Sequence, residues 1–361
     1  MTAEHAATRD AARRNTRLRF EQWAKNPGCE ANTLSAVHNV RMPDVARAAG
    51  VPVSFGQSPF ALARGDQFER SILAKDGERL ADELRKARVL PAGQYHFVDL
   101  RLRMNGGAAM ATLDEAIDAT NDLLRSAAAD PTGPPLLVAA ATVRLQRGVM
   151  LPEANLIIDA LVVLPGTGEL IVGEVKTYPD RGGYTDPAQL AGARAQAGLY
   201  VHALRSHLPL LGLESGLTAS ATGFLVLTRP GSNWPSVRAG EDLEHQAVRA
   251  HRGFDLLEDA ATKLPGPWSS PAGSEDGLIE AVLTAETEYG EACLSFCDLA
   301  PRCHAVAEEE GDPVVLGDDF GRFLGEIDLF RAVALLEGAP CVTPAEVDLV
   351  ERIGLVEAIY R

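Results

Sequence analysis

The sequence predicts an α/β protein, a mixed β-sheet core with helices around it, and three observations carry that expectation. First, a β-rich stretch at 136–145 precedes two apolar runs, 155–164 and 169–177, joined by Pro165-Gly-Thr-Gly168, which is a hairpin signature. Second, Asp186-Pro187 opens a helix, with Asp as N-cap and Pro at the first helical position. Third, 222–228 reads as a buried strand closed by Arg229-Pro230-Gly231, while both flanks of the chain read as helical. The resulting order, β-β-α-β, suits a mixed sheet covered by helices.

Taken in order, residues 1–26 read as a helix, basic on one side through Arg13, Arg14, Arg17 and Arg19 and stopped by Pro27-Gly28. A second short helix is expected at 32–50, ending at Gly50, and then a loop rich in Pro, Gly and Ser at 51–59. A helix from 59 to about 86 follows, with Phe68, Ile72, Leu73 and Leu80 at helical spacing. Thr112-Leu-Asp-Glu115 is a capping box opening a helix at 112–128. The helix after Asp186 is expected to reach Leu204, and beyond Gly231 the chain reads as mostly helical, with a loop at 265–273. Three regions follow: a helical one at 1–130, a core at 131–235 and a second helical one at 236–361.

The chain has 361 residues, 46% hydrophobic and 23% charged, an ordinary globular composition. No apolar run reaches the roughly 18–20 residues of a membrane span, and the first thirty residues lack the apolar segment of a secretory signal. A cytoplasmic protein that does not enter membranes is expected. Five cysteines without an export signal argue for reduced thiols, free to bind metal, rather than a disulfide scaffold.

The hairpin places two carboxylates together. With the turn at 165–168, antiparallel partners have numbers summing to 333, and Asp159 falls opposite Glu174. Their Cβ atoms then lie about 4.5–5.5 Å apart on one face, and Lys176, two residues on, shares that face. Two such charges at 4 Å repel by about 4 kcal/mol at an effective dielectric of about 20. A divalent cation relieves that, and oxygen ligands suit Mg²⁺ or Mn²⁺. Such an ion polarises a phosphodiester oxygen and acidifies a bound water, and a neighbouring lysine holds that water or offsets charge on the phosphorane. A Glu-x-Lys on a strand more often marks a solvated face. Here the runs around it, Leu156-Ile-Ile158 and Leu170-Ile-Val172, are too apolar for an exposed hairpin, and charges embedded in them need a reason.

Asp159 followed after fourteen residues by Glu174-Val-Lys176 resembles the catalytic signature of the PD-(D/E)xK nucleases. Gln196-Ala-Gly-Leu-Tyr200, on the helix after the second strand, is similar to the Gln-x-x-x-Tyr motif of the RecB-type branch, and residues four apart share a helix face. Gly65-Asp-Gln-Phe-Glu69 resembles that branch's Gly-x-x-x-His element, with Glu69 in the histidine's place. The resemblance implies a restriction-endonuclease-like fold and a Mg²⁺- or Mn²⁺-dependent deoxyribonuclease. Its catalytic residues would be Asp159, Glu174, Lys176, Gln196 and Tyr200, and its metal ligands Asp159, Glu174 and Glu69.

Cys293, Cys297 and Cys303 place three thiols within eleven residues, spacing able to wrap one metal centre. Four thiolates suit Zn²⁺ or an iron–sulfur cluster, with Cys29 or Cys341 as the fourth ligand and His304 a weaker candidate. Buried, inert cysteines are the plain alternative. The iron–sulfur RecB-type nucleases, which include AddB and CRISPR-associated exonucleases, look similar, with one cysteine before the core and three after it. That resemblance selects a [4Fe–4S] cluster on Cys29, Cys293, Cys297 and Cys303, joining the N- and C-terminal helical regions, and leaves Cys341 free. The expected activity is exonuclease-like, on single-stranded or end-bearing DNA, in repair, recombination or defence against foreign DNA. The alternative is a silent nuclease-like iron–sulfur subunit that binds DNA or a helicase partner. The net charge of −16 favours a partner, since phosphate binding rests on Lys and Arg.

Overall fold

The computed structural model describes residues 16–53, 59–103, 110–145, 154–264 and 275–360. Arg13, Arg14, most of the 51–59 loop and the whole 265–273 loop lie outside them. The chain parts into two compact units, residues 1–20 with 56–259 and residues 21–55 with 260–361.

The first unit is built on a mixed sheet. Its strands are β1 (His96–Asp99), β2 (Leu136–Arg144), β3 (Asn155–Leu164), β4 (Glu169–Pro179), β5 (Thr218–Ala219), β6 (Thr222–Thr228) and β7 (Pro235–Asp242). The order is β1-β2-β3-β4-β6-β7, with the short β5 beside β4. Strands β1 and β2 are parallel, as are β4 and β6, and the remaining neighbours on that path are antiparallel. The expected α/β class and mixed sheet are therefore present. The reading of 231 onward as helical needs correcting, because β7 closes one edge. Its sequence, Pro-Ser-Val-Arg-Ala-Gly-Glu-Asp, is polar because an edge strand keeps solvent on one side. The four-residue β1 was too short to show a period.

Helix α4 (Pro59–Lys86) packs its apolar face on this sheet. Phe68, Ile72, Leu80 and Leu84 meet Leu137 of β2, Val162 of β3 and Phe224 and Val226 of β6. It is two helices rather than the single one expected. Lys75, Asp76 and Gly77 have φ of 54°, 54° and 68°, a left-handed turn that ends the first segment. A Cβ at Gly77 would lie 3.0 Å from the Phe97 ring, so glycine suits both the turn and the close approach. Helix α5 (Leu113–Ala129) makes the first half of its capping box, Thr112 accepting from the Glu115 N–H at 3.2 Å, while Glu115 accepts at 2.7 Å from the Ala111 N–H, one residue before the cap. Helix α6 (Pro187–Leu211) is capped by Asp186, which accepts from the Gln189 N–H at 2.9 Å. It outruns Leu204 because its buried face continues through His207 and Leu208.

The helix read at 1–26 is described as α1 (Thr16–Trp23). In the second unit the expected 32–50 helix is two, α2 (Glu30–His38) and α3 (Met42–Ala48). Asn39, at φ 55°, ends the first in left-handed conformation, and Pro43 starts the next. Leu34, Met42 and Val45 pack with Leu264, Val282 and Leu299 around Cys29. Farther along, two short helices, Asp318–Leu324 and Leu329–Leu336, are separated at Gly325. Among the described residues no helix is long and apolar enough to cross a membrane.

Candidate active site

The β3–β4 hairpin has the register read from its turn. Leu164 pairs with Glu169, Val162 with Ile171 and Ala160 with Gly173, each pair summing to 333. The ladder stops one step short of Asp159 and Glu174. On its other side β3 pairs Ala160 with Ala139 and Ile158 with Ala141 but skips Ala140, whose φ of 59° is unusual for a residue with a Cβ. Asp159 thus sits where regular pairing fails on both flanks, and its Oδ2 accepts from the Val175 N–H at 3.0 Å. Gly173, before Glu174, has no alternative in this packing. An added Cβ would lie 2.1 Å from the Phe224 ring, which covers the hairpin there.

From this corner one chain of contacts links all five residues singled out as catalytic. The Lys176 ammonium pairs with Glu174 Oε1 and donates to Gln196 Oε1 at 2.7 Å. The Gln196 amide donates to the Tyr200 hydroxyl at 3.1 Å, and that hydroxyl donates to Asp159 Oδ1 at 3.3 Å. Helix α6 supplies Gln196 and Tyr200 from successive turns, as their spacing of four requires. Tyr200 is buried, as a core tyrosine would be, but its hydroxyl is spent on the site.

Lys176 owes its position to a bulge. The β4–β6 pairing shifts register between Val175 and Pro179. The carbonyls released there are taken up by Thr228, whose hydroxyl donates to Thr177 O at 3.3 Å and to Tyr178 O at 3.2 Å. Arg64 of α4 donates to Thr177 O at 3.0 Å.

Three of the five, Asp159, Gln196 and Tyr200, line a cavity of about 420 Å³ together with Asp66, Glu69 and Arg70 of α4, Arg17 and Arg101, whereas Glu174 and Lys176 are not among its lining residues. Glu69 therefore reaches the same cavity as Asp159. Sequence reading missed Arg101. No strand pattern marked β1, so nothing pointed to the residue two places beyond it. Its Nε and Nη2 donate to the two Asp99 oxygens at 3.0 and 2.8 Å, whereas Nη1 is buried without a hydrogen-bond acceptor. Such an unmet donor costs on the order of 1–3 kcal/mol. Glu69 Oε1 stands 3.9 Å from it, an ion-pair distance but too long for a hydrogen bond.

The electrostatics favour a cation. Glu174 is fully buried, and burial first, then the Asp159 charge, raise its carboxyl pKa well above the ordinary value, against a smaller lowering by Lys176. Burial and Asp159 raise Glu69 to about 7, although its side chain keeps 42% exposure. Burial followed by the Asp159 and Glu174 charges raises the Tyr200 hydroxyl well above its usual range. A positive ion among these oxygens would act in the opposite sense, favouring the charged form of each carboxylate against burial and mutual repulsion. Glu174 Oε2 is buried with no donor directed at it, so the donor set has an orphaned oxygen of the kind a hard cation takes. As the side chains stand, no three His, Cys, Asp or Glu groups among the described residues are drawn together closely enough to hold a metal.

In the second unit, Cys29, Cys293, Cys297 and Cys303 all line one small cavity, with Asn26 donating to Cys293 Sγ at 3.2 Å. Burial, then mutual repulsion among the sulfurs, pushes Cys297 up to about 12, and burial raises Cys29 and Cys303. Cys303 lies in the first turns of the helix Ala300–Glu310, where Pro301 is at home. Cys341 is exposed and does not line the cavity, and His304 instead packs edge-on against Tyr289 with ring centroids 5.3 Å apart. Four thiols along one cavity are a donor set whose chemistry suits a soft metal.

A scan against protein-family models gives no match to this chain, and a search of the curated proteins gives none. The case for any class of function therefore rests on the site itself.

Proposed function

We propose that the protein is a Mg²⁺- or Mn²⁺-dependent DNA nuclease of PD-(D/E)xK type, cytoplasmic, acting in an exonuclease-like manner in repair, recombination or defence against foreign DNA. The observation that carries this reading is the chain of contacts that runs from Glu174, whose buried Oε2 has no donor, through Lys176, Gln196 and Tyr200 to Asp159. Asp159 and Glu174, with Glu69 nearby, would hold the cation. It would supply the polarised phosphodiester oxygen and the acidified water that hydrolysis needs. Lys176 is fixed by Gln196 where a cationic group can orient that water or offset charge on the phosphorane. Tyr200 and the Val175 N–H hold the two Asp159 oxygens in place. Arg17, Arg70 and Arg101 line the cavity beside Asp66, Glu69 and Asp159, so cationic groups able to meet a phosphate stand among the carboxylates that would hold a cation. The four cysteines would carry a [4Fe–4S] cluster, with zinc the lesser alternative, that ties residue 29 to residues 293–303.

A second reading is a nuclease-like subunit that binds DNA or a helicase partner without cutting. The net charge of −16 and the direct pairing of Lys176 with Glu174 favour it. Anaerobically purified protein with single- and double-stranded DNA and Mg²⁺ or Mn²⁺ separates the two. Cutting by the wild type but not by Asp159→Ala or Lys176→Ala supports the nuclease. Intact DNA, or equal behaviour of wild type and variants, refutes it.

A further inference from the structure

We propose that Arg101 is a phosphate anchor in this cavity and that the Glu69 side chain covers it until a nucleic-acid strand enters. The choice of a DNA ligand rests on the nuclease reading; the anchor itself rests on the geometry of four side chains. Arg101 is 8% exposed, and Asp99 holds it from below in a two-point pair that also takes the Arg101 backbone N–H at 3.0 Å. The guanidinium plane is therefore fixed, and the nitrogen left over, Nη1, has no hydrogen-bond acceptor. A rigid planar fork with a spare donor matches a phosphate oxygen better than it matches water, which brings no charge.

Glu69 Oε1 stands 3.9 Å from that nitrogen, and Glu69 and Arg101 both line the cavity. The two differ in freedom. Arg101 is locked by Asp99, whereas the Glu69 side chain keeps 42% exposure and can swing aside. Removal of the Glu69 carboxylate from above Nη1 bares a donor on the wall that Asp159 also borders, with Arg70 on the same surface. A strand whose scissile phosphate sits at Asp159 and Glu174 would bring a further phosphate of its backbone to Arg101. Arg101 acts on binding and register, and Glu69 acts as its cover.

The test is the affinity of a fluorescein-labelled oligonucleotide, followed by anisotropy over a salt series in EDTA so that nothing is cut. Arg101→Gln should weaken binding roughly tenfold and reduce the slope of log K against log salt by about one. Glu69→Ala should tighten binding several-fold, and this gain should vanish in the Arg101→Gln background. Because Arg101→Gln leaves Asp99 without its partner, Asp99→Asn with Arg101→Gln is measured too, and should show the same lost slope with wild-type melting. An unchanged slope in both Arg101 variants overturns the anchor. Tightening by Glu69→Ala that persists without Arg101 overturns the cover, since it would reflect bulk charge alone. Absence of cutting with Mg²⁺ or Mn²⁺ refutes only the nuclease reading if the binding pattern holds. Cutting by the wild type with no such binding pattern refutes only the anchor.

Discussion

The Lys176 ammonium donates to the side-chain oxygen of Gln196 at 2.7 Å, and through that one bond a strand residue is aimed by a helix residue twenty positions on. The same amide donates onward to Tyr200, which donates to Asp159. Loss of the hydroxyl should therefore be felt at both ends. Tyr200→Phe is expected to lower the cutting rate roughly 10- to 100-fold, as for groups that orient ligands without touching substrate, and to reduce stability by about 1 kcal/mol. Single-turnover cutting and denaturant melting check the two numbers. A rate equal to wild type would make Tyr200 mere core.

Gly173 permits the hairpin to carry Glu174 under the Phe224 ring. Gly173→Ala should cost about 1–3 kcal/mol, the usual range for overpacking. Trimming the ring by Phe224→Leu in the same chain should recover part of that loss. Denaturant midpoints of the single and double variants decide it. Equal losses in both would mean that backbone strain, rather than the ring, excludes a side chain at 173.

His202 gives the sheet unit a pH response. Burial first, then the neighbouring His251, lower its pKa from 6.5 to about 4. It stands beside Phe254 and His251, with ring centroids 5.6 and 5.4 Å away, and Asp255 and Arg205 act on it in opposite senses. The folded state binds fewer protons here than the unfolded chain. The stability is therefore complete above about pH 6.5 and falls as pH drops toward 4. His202→Phe should flatten the melting temperature across that window. An equally steep fall in the variant would assign the effect to other groups.

The cysteine cavity predicts linked losses. Cys29→Ala, Cys293→Ala, Cys297→Ala and Cys303→Ala should each lower bound iron and melting temperature together, while Cys341→Ala, on the exposed cysteine, should change neither. Iron analysis and melting under anaerobic conditions report both, and a brown colour lost on oxidation distinguishes iron–sulfur from zinc. Normal iron content and melting in Cys29→Ala would assign the fourth ligand elsewhere.

The site was more legible in the sequence than the fold around it, for physical reasons. A tight turn fixes register, so Pro165–Gly168 alone was enough to bring Asp159 toward Glu174. Helical spacing likewise put Gln196 and Tyr200 on one face. What escaped notice was whatever local pattern does not encode. The polar edge strand β7 lacks an apolar period because only one neighbour and one face constrain it. The breaks at Asn39 and Lys75–Gly77 are made by single left-handed residues within otherwise helical composition. Arg101 matters through its pairing with Asp99 across a strand end and through the cavity, neither of which spacing reveals.

A calorimetric titration with Mn²⁺ tests most directly whether Asp159 and Glu174 form a cation site. The geometry predicts binding in the wild type, its loss in Asp159→Ala and in Glu174→Ala, and its persistence in Lys176→Ala, where the competing ammonium on Glu174 is removed. Undiminished Mn²⁺ binding in Asp159→Ala and Glu174→Ala would contradict the site.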